Sequence, residues 1–163
     1  LTIPREIVHY MCQESLISYF GTETKNIIAR EDLELFIRKG DRIIENDKIT
    51  LEKIREKESK GYEYKGDYEL ILPVSIRSGA AELDQLLKDI KVADPAVGSG
   101  AFPLGMINEI VRARKVLNIY LDENLSDYQL KLHTISHSIY GVDIDLGAVE
   151  IAKLRLWLSL LVD

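Results

Sequence analysis

A short apolar run that ends in an acidic, glycine-rich turn constrains this chain more than any other feature. Residues 90–93 are predicted to form a strand, and the turn after them reads Asp94-Pro95-Ala96-Val97-Gly98-Ser99-Gly100. A helix is predicted to begin next, with Phe102, Met106, Ile110, Ala113 and Leu117 on one stripe. A glycine turn between a strand and a helix lets a ligand approach the backbone and presents unpaired N–H groups to it. The sequence therefore predicts a ligand site at this turn.

The same pattern occurs a second time further along the chain. Residues 138–142 are predicted to form a second strand, which ends in Asp143-Ile144-Asp145, and a last helix is predicted from about Gly147 to the end. The order strand, glycine turn, helix, strand, acidic turn, helix is typical of one βαβα unit of a parallel sheet. We therefore expect an α/β fold in residues 90–163.

The residues around the turn argue against two common classes of nucleotide site and favour a different ligand. A P-loop needs Lys and then Ser or Thr after its last glycine, but Ala101 follows here, and a dinucleotide site needs a third glycine where Pro103 stands. The charge of Asp94 would repel a pyrophosphate and suits a ligand with a cationic end. S-adenosyl-L-methionine has such an end, and Asp143 could accept hydrogen bonds from both of its ribose hydroxyls.

Three segments resemble a known family. The turn and its following Phe102 resemble the D-P-A-C-G-S-G-x-F motif of N6-adenine DNA methyltransferases, with Val97 in place of the frequent cysteine. Residues 139–158 resemble that group's second motif and its helix. Residues 4–16 resemble the upstream motif that folds over the methionine end of the cofactor. More narrowly, the chain resembles the N-terminal, cofactor-binding part of the methyltransferase region of Eco57I-like (type IIG/IIS) restriction–modification enzymes, in which one polypeptide modifies and cleaves DNA.

The resemblance implies a fold, a cofactor and a set of site residues. The implied fold is part of a Rossmann-like parallel sheet of a SAM-dependent methyltransferase, preceded by a helical segment, and the implied cofactor is S-adenosyl-L-methionine. Asp94 would face its amino-acid end and Asp143 its ribose, Ile144 would pack on the adenine, and Phe102 would line the adenine or support the turn. Ile3 stands where the family usually has Thr. The implied cofactor-binding residues are Pro4, Asp94, Pro95, Ala96, Gly98, Gly100, Phe102, Asp143 and Ile144.

The family's catalytic motif is not in this sequence. That motif is an Asn- or Asp-Pro-Pro-aromatic run that holds the flipped adenine, whereas the prolines of this chain are isolated at Pro4, Pro73, Pro95 and Pro103. We therefore expect no catalytic residue here, an inactive isolated chain, and adenine-specific DNA methylation by a longer protein. Double-stranded DNA would be bound by parts of that protein outside these residues.

The remaining residues divide the chain into three expected segments. Residues 1–21 are predicted to form a helix that covers the cofactor, residues 22–89 a charge-rich helical segment, and residues 90–163 the first βαβα unit. A helical hairpin is predicted in residues 31–60, with its break near Gly40-Asp41 or Asn46-Asp47. Because the chain starts at Leu1 and stops at Asp163 without a helix-ending residue, we expect it to be part of a larger protein.

Composition narrows the classes of protein further. The 163 residues carry a formal charge of −6, which argues against DNA contact by this segment itself. The single Cys12 excludes a disulfide scaffold and indicates a reducing compartment, the cytoplasm. No apolar run is long enough to span a membrane. The sequence also shows no set of metal ligands. The apolar run around Trp157 is expected to be core in the larger protein and to favour self-association when uncovered.

Two other classes of function remain as alternatives. A nucleotide-cofactor oxidoreductase domain would also use a glycine turn, although Pro103 and Asp94 disfavour it. A non-catalytic helical assembly module could be carried by residues 22–89, with a degenerate ligand site beside it.

Overall fold

The computed structural model describes residues 3–66, 69–94, 101–141, 154 and 156–161, and helices dominate these ranges. In the described ranges, no helix has both the length and the apolar character needed to cross a membrane. The elements are, in chain order, helices α1 (Arg5–Glu23), α2 (Arg30–Arg38), α3 (Gly40–Ser59), α4 (Val74–Ser78) and α5 (Ala80–Asp89), strand β1 (Val92–Asp94), helices α6 (Ala101–Leu121) and α7 (Asp127–His137), strand β2 (Ile139–Gly141) and a 3-10 turn (Ser159–Leu161).

Helix α6 is the central element of the core. It packs against α1, α3, α5 and α7. The predicted stripe is confirmed, since Met106, Ile110, Ala113 and Leu117 are all buried in the main core. A second face of α6 packs against Leu130 of α7. A helix that is apolar on several faces is typical of the interior of a domain, and α6 therefore holds the other helices together.

The charge-rich segment forms two consecutive helices, α2 and α3, where helices are predicted in residues 31–60. Its break falls at Lys39, which ends α2 and precedes α3, so the predicted break near Gly40-Asp41 is confirmed. Leu33, Phe36, Ile37 and Ile43 face the core, and the charged residues of the segment other than Asp47 are exposed or partly exposed. The other predicted break, Asn46-Asp47, is wrong, because both residues lie inside α3 and Asp47 is fully buried. Its carboxylate accepts hydrogen bonds from other parts of the fold, as buried polar groups usually do.

The two strands are short and pair with each other. They overlap the predicted runs, and they are parallel, with Val92 opposite Ile139 and Asp94 opposite Gly141. Each has three residues and one neighbour in the described ranges. The predicted fold class, a partial Rossmann-like parallel α/β sheet, is therefore wrong for the residues the structure describes: their fold is helical. The physical reason is that a sheet layer needs longer strands and more of them to cover a core, and here helix–helix contacts make the core.

The predicted last helix lies mainly outside the described residues. Among those described near the end, Leu154, Trp157, Leu158 and Leu161 are exposed, with Trp157 55% accessible. These side chains form no part of the core described above. The expectation that this run becomes core concerns a larger protein and stays a prediction.

Candidate functional site

The structure describes three of the nine predicted cofactor-binding residues. Pro4 precedes α1, and its carbonyl accepts hydrogen bonds from the backbone N–H groups of Ile7 and Val8, at 3.1 and 3.2 Å. Asp94 is the last residue of β1, and Phe102 lies in the first turn of α6. The other predicted positions lie outside the described residues; they are Pro95, Ala96, Gly98, Gly100, Asp143 and Ile144.

The beginnings of α1 and α6 lie against each other. The Cys12 thiol on α1 donates a hydrogen bond to the backbone carbonyl of Phe102 at 3.7 Å. A Cβ atom on Gly105 would lie 2.8 Å from Cys12 Sγ and 3.5 Å from Val8 Cγ1. The two helices can approach this closely only because Gly105 has no side chain. The structure thus brings the segment of Pro4 next to the segment of Phe102, 98 residues away in the chain.

A cleft opens where these two helices begin. Its volume is about 610 Å³, within the range of small-molecule sites. Its lining contains positively charged, negatively charged and apolar side chains. The lining residues are Ile3, Arg5, Glu6, Val8, His9, Ala101, Leu104, Gly105 and Asn108. Ile3 thus lies at the cleft, and it occupies the position where the resembled family usually has Thr. Phe102 is not among these lining residues, although α6 begins beside the cleft.

A buried carboxylate lies one helical turn beyond Gly105. The Glu109 side chain is 3% accessible and faces partners on α1: His9 Nδ1 lies 3.2 Å from Oε1, and Gln13 Nε2 donates a hydrogen bond to Oε2 at 3.5 Å. The Arg112 guanidinium also donates to Oε1, and it reaches Asp41 on α3 at 3.3 Å. Glu109 therefore joins three helices beside the cleft.

The pKa values around this carboxylate follow from burial and charge. Burial, with a smaller contribution from the Glu109 charge, raises the pKa of the Cys12 thiol to about 12. Burial is the largest single influence on the pKa of Arg112 and lowers it, but the hydrogen bonds and charges of Glu109 and Asp41 together outweigh burial, so the net shift of the pKa is upward. At neutral pH the thiol is therefore protonated and unreactive, and Arg112 is charged.

Sequence reasoning missed Gly105 and Glu109. Both have a signal in the sequence: a glycine inside a helical pattern often marks a close approach, and Glu109 lies next to the apolar stripe of α6. Sequence reasoning gave His9 no role, and the structure places it on the wall of the cleft. Within the described ranges, no group of three or more His, Cys, Asp or Glu residues is arranged to hold a metal ion.

Comparisons with known proteins gave one informative similarity. Over 157 residues, 91% of this chain, the sequence is 37% identical to a protein of Methanocaldococcus jannaschii whose name describes it, provisionally, as a type II restriction enzyme and methyltransferase. The chain spans 12% of that relative's length. No family model matches the chain, and no solved structure matches it. The similarity covers nearly all of this chain and a small part of the relative.

Proposed function

We propose that this chain is the S-adenosyl-L-methionine-binding part of a site-specific DNA adenine-N6 methyltransferase within a combined restriction–modification polypeptide. The observation that carries the proposal is the 37% identity over 157 residues to a relative named as a restriction enzyme and methyltransferase. The motif from Asp94 to Phe102 adds the cofactor class and the adenine target, which the relative's name does not specify.

The α1–α6 cleft suits the methionine end of this cofactor. That end carries an ammonium and a carboxylate group. The cleft lining offers the guanidinium of Arg5 and the carboxylate of Glu6, together with the apolar side chains of Val8 and Leu104. Opposite charges on one small site recognise a carboxylate and an ammonium group at once. Residues 1–21 would thus cover the cofactor, residues 22–89 would support α6, and residues 90–163 would carry the two motifs.

The motif residues would orient the cofactor. Asp94 would attract its ammonium group, the backbone of the turn at Gly98 and Gly100 would leave room for it, and Asp143 would accept hydrogen bonds from the ribose hydroxyls. Ile144 and Phe102 would pack near the adenine. The bound cofactor supplies an electrophilic methyl group. The residues that bind the target adenine and double-stranded DNA would belong to a longer protein.

Calorimetric titration of this chain tests the proposal. We expect binding of S-adenosyl-L-methionine and of S-adenosyl-L-homocysteine, and none of NAD. Asp143→Ala should weaken binding about 10- to 100-fold, the effect of removing a hydrogen-bonded charged group. Asp122→Ala is the control, because Asp122 is an exposed partner of Arg55 at the far end of α6. Binding of NAD alone, or an unchanged affinity of Asp143→Ala, would contradict the proposal.

A further inference from the structure

The strongest unassigned feature is the position of Glu109. A carboxylate that is 97% buried is costly unless it is paired. Its partners lie on two helices, since His9 and Gln13 are on α1 and Arg112 is on α6 itself. Arg112 also pairs with Asp41 of α3. These contacts hold α1 on α6 at a point one turn from Gly105.

The partner on α1 is also part of the cleft. His9 is half exposed and lines the cleft, and its Nδ1 lies 3.2 Å from Oε1 of Glu109. His9 and Gln13 are four residues apart, so they lie on the same face of α1. A change in the Glu109 contact therefore moves a wall of the cleft as well as the position of α1.

We propose that Glu109 is a positioning residue that sets the separation of α1 and α6 and thereby the affinity of the cleft for S-adenosyl-L-methionine. The inference rests on the proposed function for the identity of the ligand. Glu109 itself does not line the cleft, and it acts through His9 and Gln13. An apolar side chain at this position could fill the space, but it could not fix the His9 ring.

The sole cysteine of the chain reports on this contact directly. Cys12 is fully buried between α1 and α6. A thiol reagent can reach it only when α1 moves away from α6 or the chain unfolds. The labelling rate of Cys12 under native conditions therefore measures the opening of the two helices.

The decisive variant is Glu109→Gln, which keeps the size of the side chain and removes its charge. We expect about a tenfold loss of affinity for S-adenosyl-L-methionine and about a tenfold faster labelling of Cys12, the effect of weakening charge-assisted hydrogen bonds. In the wild type, saturating cofactor should slow the labelling. His9→Ala changes a half-exposed side chain and is expected to fold; it should lower affinity in the same direction by a smaller factor.

Asp84→Asn is the matched control. Asp84 is 2% accessible and pairs with Arg114 of the same helix α6, but from α5 and not from α1. The Asp84→Asn substitution should lower the stability of the chain, measured by urea unfolding, without a specific effect on the affinity for the cofactor. If Glu109→Gln and Asp84→Asn change affinity and labelling alike at equal stability, Glu109 is only structural and the inference is overturned.

The same measurements separate the two proposals. If the wild type does not bind S-adenosyl-L-methionine, the proposed function fails, and the positioning role fails with it. If the wild type binds and Glu109→Gln binds equally well, only the positioning role is overturned. Weaker binding by both Glu109→Gln and His9→Ala, with Asp84→Asn unaffected, supports both.

Discussion

Acidic side chains inside the core are the main residue-scale feature of this chain. Asp47, Asp84 and Glu109 are each at most 3% accessible, and each is paired. Asp47 accepts hydrogen bonds from the backbone N–H groups of Ile71 and Leu72, at 2.8 and 3.0 Å, and from the Tyr120 hydroxyl at 2.5 Å. It thus fixes the loop before α4 against α3 and α6. From the sequence, Asn46-Asp47 is one of two alternative positions for a helix break.

Replacing Asp47 tests how much its hydrogen bonds contribute to the stability of the fold. Asp47→Ala leaves two backbone N–H groups and a hydroxyl without their acceptor, so we expect a loss of about 3–5 kcal/mol in the free energy of unfolding. Urea denaturation measures it. Asp41→Ala, which removes an exposed carboxylate on the same helix, should change stability by less than about 1 kcal/mol. Equal effects of the two substitutions would show that Asp47 is not a structural anchor.

His133 gives the stability of the chain a pH dependence. Its ring stacks on His137 with centroids 4.3 Å apart, and its buried Nδ1 has no hydrogen-bond partner. Burial lowers the pKa of His133 below its ordinary value of 6.5, and the charges of His137, Arg114 and Lys88 lower it further, against the opposite effect of Asp84. The folded chain therefore favours the neutral ring.

We expect the contribution of neutral His133 to the free energy of unfolding to be complete above about pH 6.5. It should decline as the pH falls towards the lowered pKa, because in that window the unfolded chain binds the proton more readily than the folded chain. His133→Gln should flatten this part of the curve. Urea unfolding between pH 5 and 8 measures it. Parallel curves for the wild type and His133→Gln would contradict the assignment.

At the scale of elements, the contact between α1 and α6 depends on two small residues. Helix α1 ends two residues later than predicted, since it continues through Gly21 to Glu23. Cys12 is a small core residue, as expected from the sequence, and it fills the space that Gly105 leaves open. Local periodicity predicted the helix, but the close approach depends on a residue in another helix.

Gly105→Ala should destabilise the chain by about 1–3 kcal/mol, even though alanine favours a helix by about 1 kcal/mol, because its Cβ would overlap Cys12 Sγ. Combining it with Cys12→Ala should recover part of the loss, which a double-mutant cycle measures by thermal or urea unfolding. Gly79→Ala is the control, since its Cβ would meet only Ser75 O at 3.5 Å. Additive effects of Gly105→Ala and Cys12→Ala would contradict this packing.

At the scale of the whole molecule, apolar side chains near the end of the described residues remain uncovered. Trp157 and Leu161 are 55% and 77% accessible. We expect concentration-dependent self-association in sedimentation velocity, with a blue shift of the emission of the single Trp157 as it becomes buried. Trp157→Gln should reduce the association, and Tyr62→Gln, at an exposed site elsewhere, should not. A monomer at all concentrations would contradict the expectation.

The sequence by itself determined the local elements. Periodicity predicted α1, the helices of the charge-rich segment and α6. The start of α7 at Asp127 coincides with a capping box between Ser126 and Gln129. These features depend on neighbours within a few residues, so the sequence contains their signal. The motif residues at Asp94 and Phe102 are recognisable for the same reason.

Only the tertiary structure decided the rest. The strands at Val92 and Ile139 are short and the core is helical, because α6 provides apolar faces to several helices. The burial of Asp47 and Glu109 and the need for Gly105 depend on partners far away in the chain. Such non-local contacts carry no local pattern, and for this reason the sequence could not predict either the fold class or the carboxylate beside the cleft.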